Sequence, residues 1–174
     1  RWLLDAIDST HEIIALSRNK VQSTKEHITW KQVDLFSRRQ TTTALEGVDI
    51  AIYLVHSMSP KSKLFQGKFY DLDVLIADNF AYAANKNGIK KIIYLSGIIP
   101  EDRQLSYHLR SRLEVEQTLA QYNNPITTIR TGIIVGPGGS SYNILLNLVK
   151  TLPVMICPRW TLNKSQPVSL EFVL

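Results

Sequence analysis

Residues 72–95, LDVLIADNFAYAANKNGIKKIIYL, hold a helix, its stop and a buried strand in one run. Leu72, Leu75, Ile76, Phe80, Ala83 and Ala84 recur at three- and four-residue steps, the stripe of an amphipathic helix. Asn87-Gly88 is a helix stop, because glycine takes the left-handed conformation that ends a helix at no steric cost. Ile92-Ile93-Tyr94-Leu95 then follows without polar alternation, as in a strand covered on both faces. A helix running straight into such a strand is the crossover unit of a parallel sheet.

Working outward, similar runs recur at residues 13–16, 28–33, 49–55 and 126–135. Helical patterns begin near Ser37, at Leu109, Leu113 and Leu119 with Glu114 and Glu116 turned outward, and after Ser140-Ser141 through Ile144, Leu145, Leu148 and Val149. The order β, β, α, β, α, β, α, β, α, with a late extended segment at residues 153–157, predicts an α/β fold with a doubly wound parallel sheet in a single domain, residues 1–174. Residues 56–68 form the longest irregular loop, and loops at strand carboxyl ends build the ligand crevice of such sheets. Residues 1–7 read as the last turns of a helix, so residues upstream of Arg1 are expected. A doubly wound sheet keeps its first strand at the centre; without it, two half-sheets with unpaired edges are expected.

Composition narrows the function classes. With 174 residues, 44% hydrophobic and 20% charged, the chain has the profile of a soluble globular domain. The net charge of +5 is scattered, dense only at Arg38-Arg39 and Lys90-Lys91, so no nucleic-acid partner is expected. No apolar run approaches the roughly 20 residues of a membrane span and no leader pattern opens the chain, which predicts no membrane association and a cytoplasmic protein. Cys157 stands alone, and His11, His27, His56 and His108 lack metal-ligand spacing, so no metal site is expected.

The segments HEIIALSRN at 11–19, 53–58, 92–100, 105–116 and 132–160, taken in this order, resemble the atypical short-chain dehydrogenase/reductases, in particular the NmrA-like branch of NAD(P)H-binding, nucleoside-diphosphate-sugar-epimerase-like proteins. The resemblance implies an NAD(P)-binding Rossmann fold whose first strand and glycine-rich loop would precede the helix ending near Ile7. It also implies an oxidoreductase or epimerase-like enzyme acting on a small-molecule substrate. The competing class is a non-enzymatic NmrA-like regulator that senses NADP(H) and binds a protein partner.

Site residues follow by position. In this fold the residue past the second strand meets the adenosine ribose, where an acid selects the 2′-hydroxyl and an arginine a 2′-phosphate. Arg18 stands there, which favours NADP(H) over NAD(H), unless it is a plain surface arginine. Without the loop that cradles the pyrophosphate, no cofactor is expected in the structure. Asp34 and Leu35 match the residues that approach the adenine amino group and ring, or Asp34 simply caps the helix near Ser37. Leu54, Val55 and His56 would line the adenosine side, and Thr131, Gly132 and Ile133 would lie beside the nicotinamide.

Catalysis departs from the family's usual chemistry. Typical members carry a tyrosine, a lysine four residues later, and a serine or threonine at the end of the preceding strand. Aligning SRLEVE at 111–116 with the family's helix puts His108 at the tyrosine and Arg112 at the lysine. Ser96 stands near the serine, whose own register falls on Gly97. His108 and Arg112 lie one helical turn apart; a histidine could exchange a proton with substrate and an arginine could hold a ribose or phosphate oxygen. The glycine-rich run at 136–141 lacks a Walker lysine; it is an anion site at a helix start, or a turn with a serine N-cap.

Overall fold

A computed structural model describes residues 2–22, 25–55, 69–100, 105–137, 140–152, 162 and 164–174. In chain order they form α1 (Trp2–Ala6), β1 (Ile13–Ser17), β2 (Ile28–Gln32), α2 (Arg38–Ala44), β3 (Ile50–Tyr53), α3 (Phe69–Lys86), β4 (Lys91–Gly97), α4 (Tyr107–Leu119), a 3-10 turn (Gln121–Asn123), β5 (Ile126–Thr131), β6 (Ile134–Val135), α5 (Ser140–Thr151), β7 (Val168–Ser169) and α6 (Leu170–Val173). The chain falls into two compact units, residues 7–130 and residues 1–6 with 131–174.

In the larger unit β1 runs parallel to β2, from Ile13 opposite Ile28 to Ser17 opposite Gln32. A second sheet has the order β3-β4-β5. Here β3 is parallel to β4, from Ile50 opposite Lys91 to Tyr53 opposite Tyr94, and the Ile92 amide donates to the Pro125 carbonyl at 2.8 Å. Among the described residues no ladder joins β1 to β3, so these strands stand in two separate sheets.

Helix α3 makes the core. Its Ala77, Ala81, Ala83 and Ala84 are wholly buried, and Ala77, Ala83 and Ala84 pack in one apolar cluster with Ala51, Tyr53, Ile92 and Tyr94. Phe80 meets Tyr53 edge to face with ring centres 5.0 Å apart. The helix stops as its sequence requires: Gly88 sits at φ +66°, the Gly88 amide donates to the Asn85 carbonyl at 3.0 Å, and the Ile89 amide to that of Ala84 at 3.0 Å. This is a Schellman closure, which satisfies carbonyls the helix end leaves open.

Two helical stripes differ from expectation. Leu75 is exposed, and on α4 the buried positions are Ser111, Val115, Thr118 and Leu119, with Leu109 and Leu113 only half-buried. Glu116 does not point freely outward; its two carboxylate oxygens take the Nη2 and Nε of Arg130, at 2.8 and 3.3 Å. Burial on β3 is one-sided, with Ala51 and Tyr53 covered and Ile50 and Ile52 exposed.

In the smaller unit β6 runs parallel to β7, with Ile134 opposite Val168. The apolar run read as one strand over 126–135 breaks at Gly132-Ile133, because the Ile133 carbonyl accepts from the Val168 amide at 3.0 Å and β6 pairs with β7. Both flanking glycines are required. A Cβ on Gly132 would run into the Gln166 carbonyl oxygen, and one on Gly136 would lie 2.6 Å from the Leu170 Cβ. Ser140 is the first helical residue of α5, so the cap position falls on Gly139, outside the described residues. The extended segment expected at 153–157 also lies outside them.

Candidate functional site

The carboxyl ends of β1 and β2 lie side by side. Ser17 is opposite Gln32, and the Val33 amide donates to the Ser17 carbonyl at 2.9 Å, so Arg18 and Asp34 stand on one edge of the same half-sheet. Around Arg18 the turn is tied: the Asn19 amide donates to Ser17 Oγ at 3.2 Å, and Gln32 Nε2 to the Arg18 carbonyl at 3.0 Å. Sequence reasoning passed over Gln32, although a polar residue facing the end of a neighbouring strand is the signal for such a tie.

Asp34 heads a turn of its own. Its Oδ1 accepts the Phe36 amide at 3.0 Å, its carbonyl the Ser37 amide at 3.0 Å, and its amide donates to Gln40 Oε1 at 3.0 Å. The cap of α2 is Ser37, whose Oγ accepts the Gln40 amide at 3.3 Å, so Asp34 is not that cap. Asp34 is exposed, whereas Leu35 packs against the core, and Asn79 Nδ2 reaches the carbonyls of Leu35 and Phe36 at 3.1 and 3.0 Å.

After β3, Leu54 is half exposed and Val55 packs on the core. His56 lies outside the described residues. After β4, Ser96 is buried on the same face as Ile92 and Tyr94, and its hydroxyl has no hydrogen-bond partner among the described residues. A Cβ on Gly97 would stand 3.2 Å from Leu109 Cδ2, so a side chain there requires that leucine methyl to give by a few tenths of an ångström.

Helix α4 begins at a serine cap, with Ser106 Oγ accepting the Leu109 amide at 3.3 Å. His108 is exposed in the first turn and Arg112 half-buried one turn on. The Arg112 carbonyl accepts the Tyr94 hydroxyl at 3.4 Å. Burial pushes the neighbouring Tyr53 phenol far above its ordinary range, the Asp73 carboxylate and Tyr94 add to the shift, and the Arg112 guanidinium opposes it. Arg112 therefore borders a buried polar group of Tyr53, Asp73 and Tyr94. The signal for it was Asp73, which shares a helical face with Ala77, Phe80 and Ala84.

In the smaller unit Thr131 and Gly132 are half-buried and Ile133 exposed. Among the described residues no three His, Cys, Asp or Glu side chains gather as a metal site, and no helix is long and apolar enough to cross a membrane.

The ends of β1 and β2 thus bring together an arginine and an exposed carboxylate, a partner for an anion and a hydrogen-bond acceptor, while Leu35 beside them packs on the core.

The chain is 29% identical over 171 residues to the auxiliary protein GraX of Staphylococcus aureus, covering 93% of this chain and 50% of the relative. It thus spans about half the length of that curated relative. Among solved structures it is similar to the dTDP-glucose 4,6-dehydratase DesIV of Streptomyces venezuelae, at 13% identity and a TM-score of 0.69 over 97% of this chain and 63% of that one. It is also similar to the NADPH-dependent quinone oxidoreductase QOR2 of Escherichia coli, at 24% identity and a TM-score of 0.63 over 86% of this chain and 47% of that one. A family profile described as NAD(P)H-binding matches residues 2–145, most of the chain. The chain therefore belongs to the NAD(P)H-binding family, with the Rossmann-like fold of the atypical short-chain dehydrogenase/reductases.

Proposed function

We propose that the full-length protein is a cytoplasmic, NADP(H)-preferring atypical short-chain dehydrogenase/reductase, acting as an oxidoreductase or epimerase-like enzyme on a small molecule. The observation that carries the reading is the shared edge of Arg18 and Asp34-Leu35. A guanidinium at that point pairs with a ribose phosphate through two parallel N–H donors, which a 2′-hydroxyl does not repay in kind. When bound, the nicotinamide supplies the hydride chemistry. Arg18 and Asp34 hold the adenosine end, His108 exchanges a proton with the substrate, and Arg112 steadies an anionic or hydroxyl oxygen.

A second reading is a non-enzymatic NADP(H) sensor that binds a protein partner. Two features favour it: the relative at 29% identity is named an auxiliary protein, and the resemblance aligns His108 and Arg112 with the tyrosine and lysine of enzymes of this type. Titrating the full-length protein with NADPH and NADH side by side tests cofactor choice; equal affinity for both removes the NADP(H) preference. Turnover with carbonyl substrates that His108→Ala abolishes at unchanged cofactor affinity supports the enzyme. Tight binding with every substrate left unreduced supports the sensor.

A further inference from the structure

We infer that Asn79, on the inner face of α3, is the positioning residue of the turn Asp34-Leu35-Phe36, and that it sets the affinity of the site for the adenine half of the dinucleotide. The affinity part rests on the nucleotide-site reading above.

Asn79 is 3% exposed, and an amide that deep in a core must find partners for two donors and an acceptor. It finds all of them in one short segment. Nδ2 donates to the carbonyls of Leu35 and Phe36 at 3.1 and 3.0 Å, and Oδ1 accepts from Arg38 Nε at 3.1 Å. The bonds that shape the turn itself, from the Phe36 and Ser37 amides to Asp34 and from the Asp34 amide to Gln40, are local. They fix its form. Its place is held by the packing of Leu35 on the core and by Asn79, which ties two of its carbonyls to a helix more than forty residues later in the chain.

Its neighbours extend the tie. Arg38 Nη2 meets Asp78 Oδ2 at 2.5 Å, its guanidinium lies 4.7 Å above the centre of the Tyr82 ring, and Asp78 Oδ1 accepts the Tyr122 hydroxyl at 2.8 Å. Packing alone does not call for an amide at position 79. Ala77, Phe80, Ala83 and Ala84 already seal the helix against the sheet, so what Asn79 adds is the hold on two carbonyls.

Adenine is a flat ring recognised here through one carboxylate and one apolar side chain, both carried by this turn. If the untethered turn is competent a tenth of the time, apparent affinity falls about tenfold.

The test uses the full-length protein and Asn79→Asp, which is nearly isosteric, keeps the acceptor for Arg38 and loses both donors to the carbonyls. NADPH and 2′,5′-ADP are expected to bind about tenfold more weakly, with reduced nicotinamide mononucleotide unchanged. Unchanged 2′,5′-ADP affinity in Asn79→Asp overturns the inference. So does equal weakening of both halves, which is what a merely structural role would give. Hydrogen exchange on the ligand-free wild type adds an arm that needs no variant to fold: amides 36 and 37 are expected to be protected like those of α3, and exchange at open-loop rates rejects the tether. If the wild type binds neither NADPH nor NADH, the nucleotide reading fails and the affinity claim with it, while the exchange data still decide the tether.

Discussion

A methyl carbon of Leu109 stands 3.2 Å from where a Cβ on Gly97 would sit, so the first turn of α4 closes over the end of β4 at the register of the family's serine. Gly97→Ser should therefore cost about 1 kcal/mol through overpacking. In a Leu109→Ala background the same change should be nearly neutral, because the crowded methyl is gone. Denaturant unfolding of the four proteins in this cycle gives the coupling; strict additivity would place the strain elsewhere.

Gly132 permits no side chain at all, since the Gln166 carbonyl oxygen occupies the space a Cβ needs. Gly132→Ala is expected to cost about 3 kcal/mol, because a backbone atom, unlike a leucine tip, cannot step aside cheaply. Amide exchange should quicken first at Val168, whose bond to the Ile133 carbonyl lies next to the clash.

The buried Tyr53 phenol ties stability to alkaline pH. Burial raises its pKa in the folded chain above the unfolded value of 10.0, with Asp73 and Tyr94 reinforcing the shift. The neutral phenol thus contributes stability in full below pH 10, and that contribution falls as pH rises from there towards the folded value. Unfolding free energy should decline more steeply above pH 10 in the wild type than in Tyr53→Phe. Parallel slopes for the two proteins would contradict this.

Arg18→Ala should weaken NADPH binding roughly tenfold to a hundredfold, the worth of one charge-assisted contact, while NADH binding barely changes. Isothermal titration of the full-length protein with each cofactor reads the difference directly. Equal losses for both would move the arginine away from the 2′ position.

The sequence announced most of the frame. Long apolar runs specify the strands, although β3 proves covered on one face only, and Asn87-Gly88 specifies the closure at the end of α3, because those signals are local. The candidate edge was legible too, since Arg18 and Asp34 each follow a strand and parallel pairing brings strand ends together. Contacts made across tens of residues were not. Asn79 reads as one more polar residue on a helix until the turn at Leu35 is folded against it. Asp73 shares the apolar face of α3, a local cue, but that it acts on the Tyr53 phenol depends on a strand elsewhere in the chain. Glu116 was assigned to water because its partner, Arg130, comes from a strand the helix pattern does not mention.

The alanines on the inner face of α3 bear on how genetic variants should be interpreted. Ala77, Ala81, Ala83 and Ala84 have no exposed surface, so even a valine there forces the helix off its seat. Such alleles would lower the amount of protein in a cell through misfolding and proteolysis, with the chemistry of each surviving molecule intact. A loss-of-function allele mapping to this helix is therefore evidence about abundance, and immunoblotting must precede any conclusion about ligand recognition.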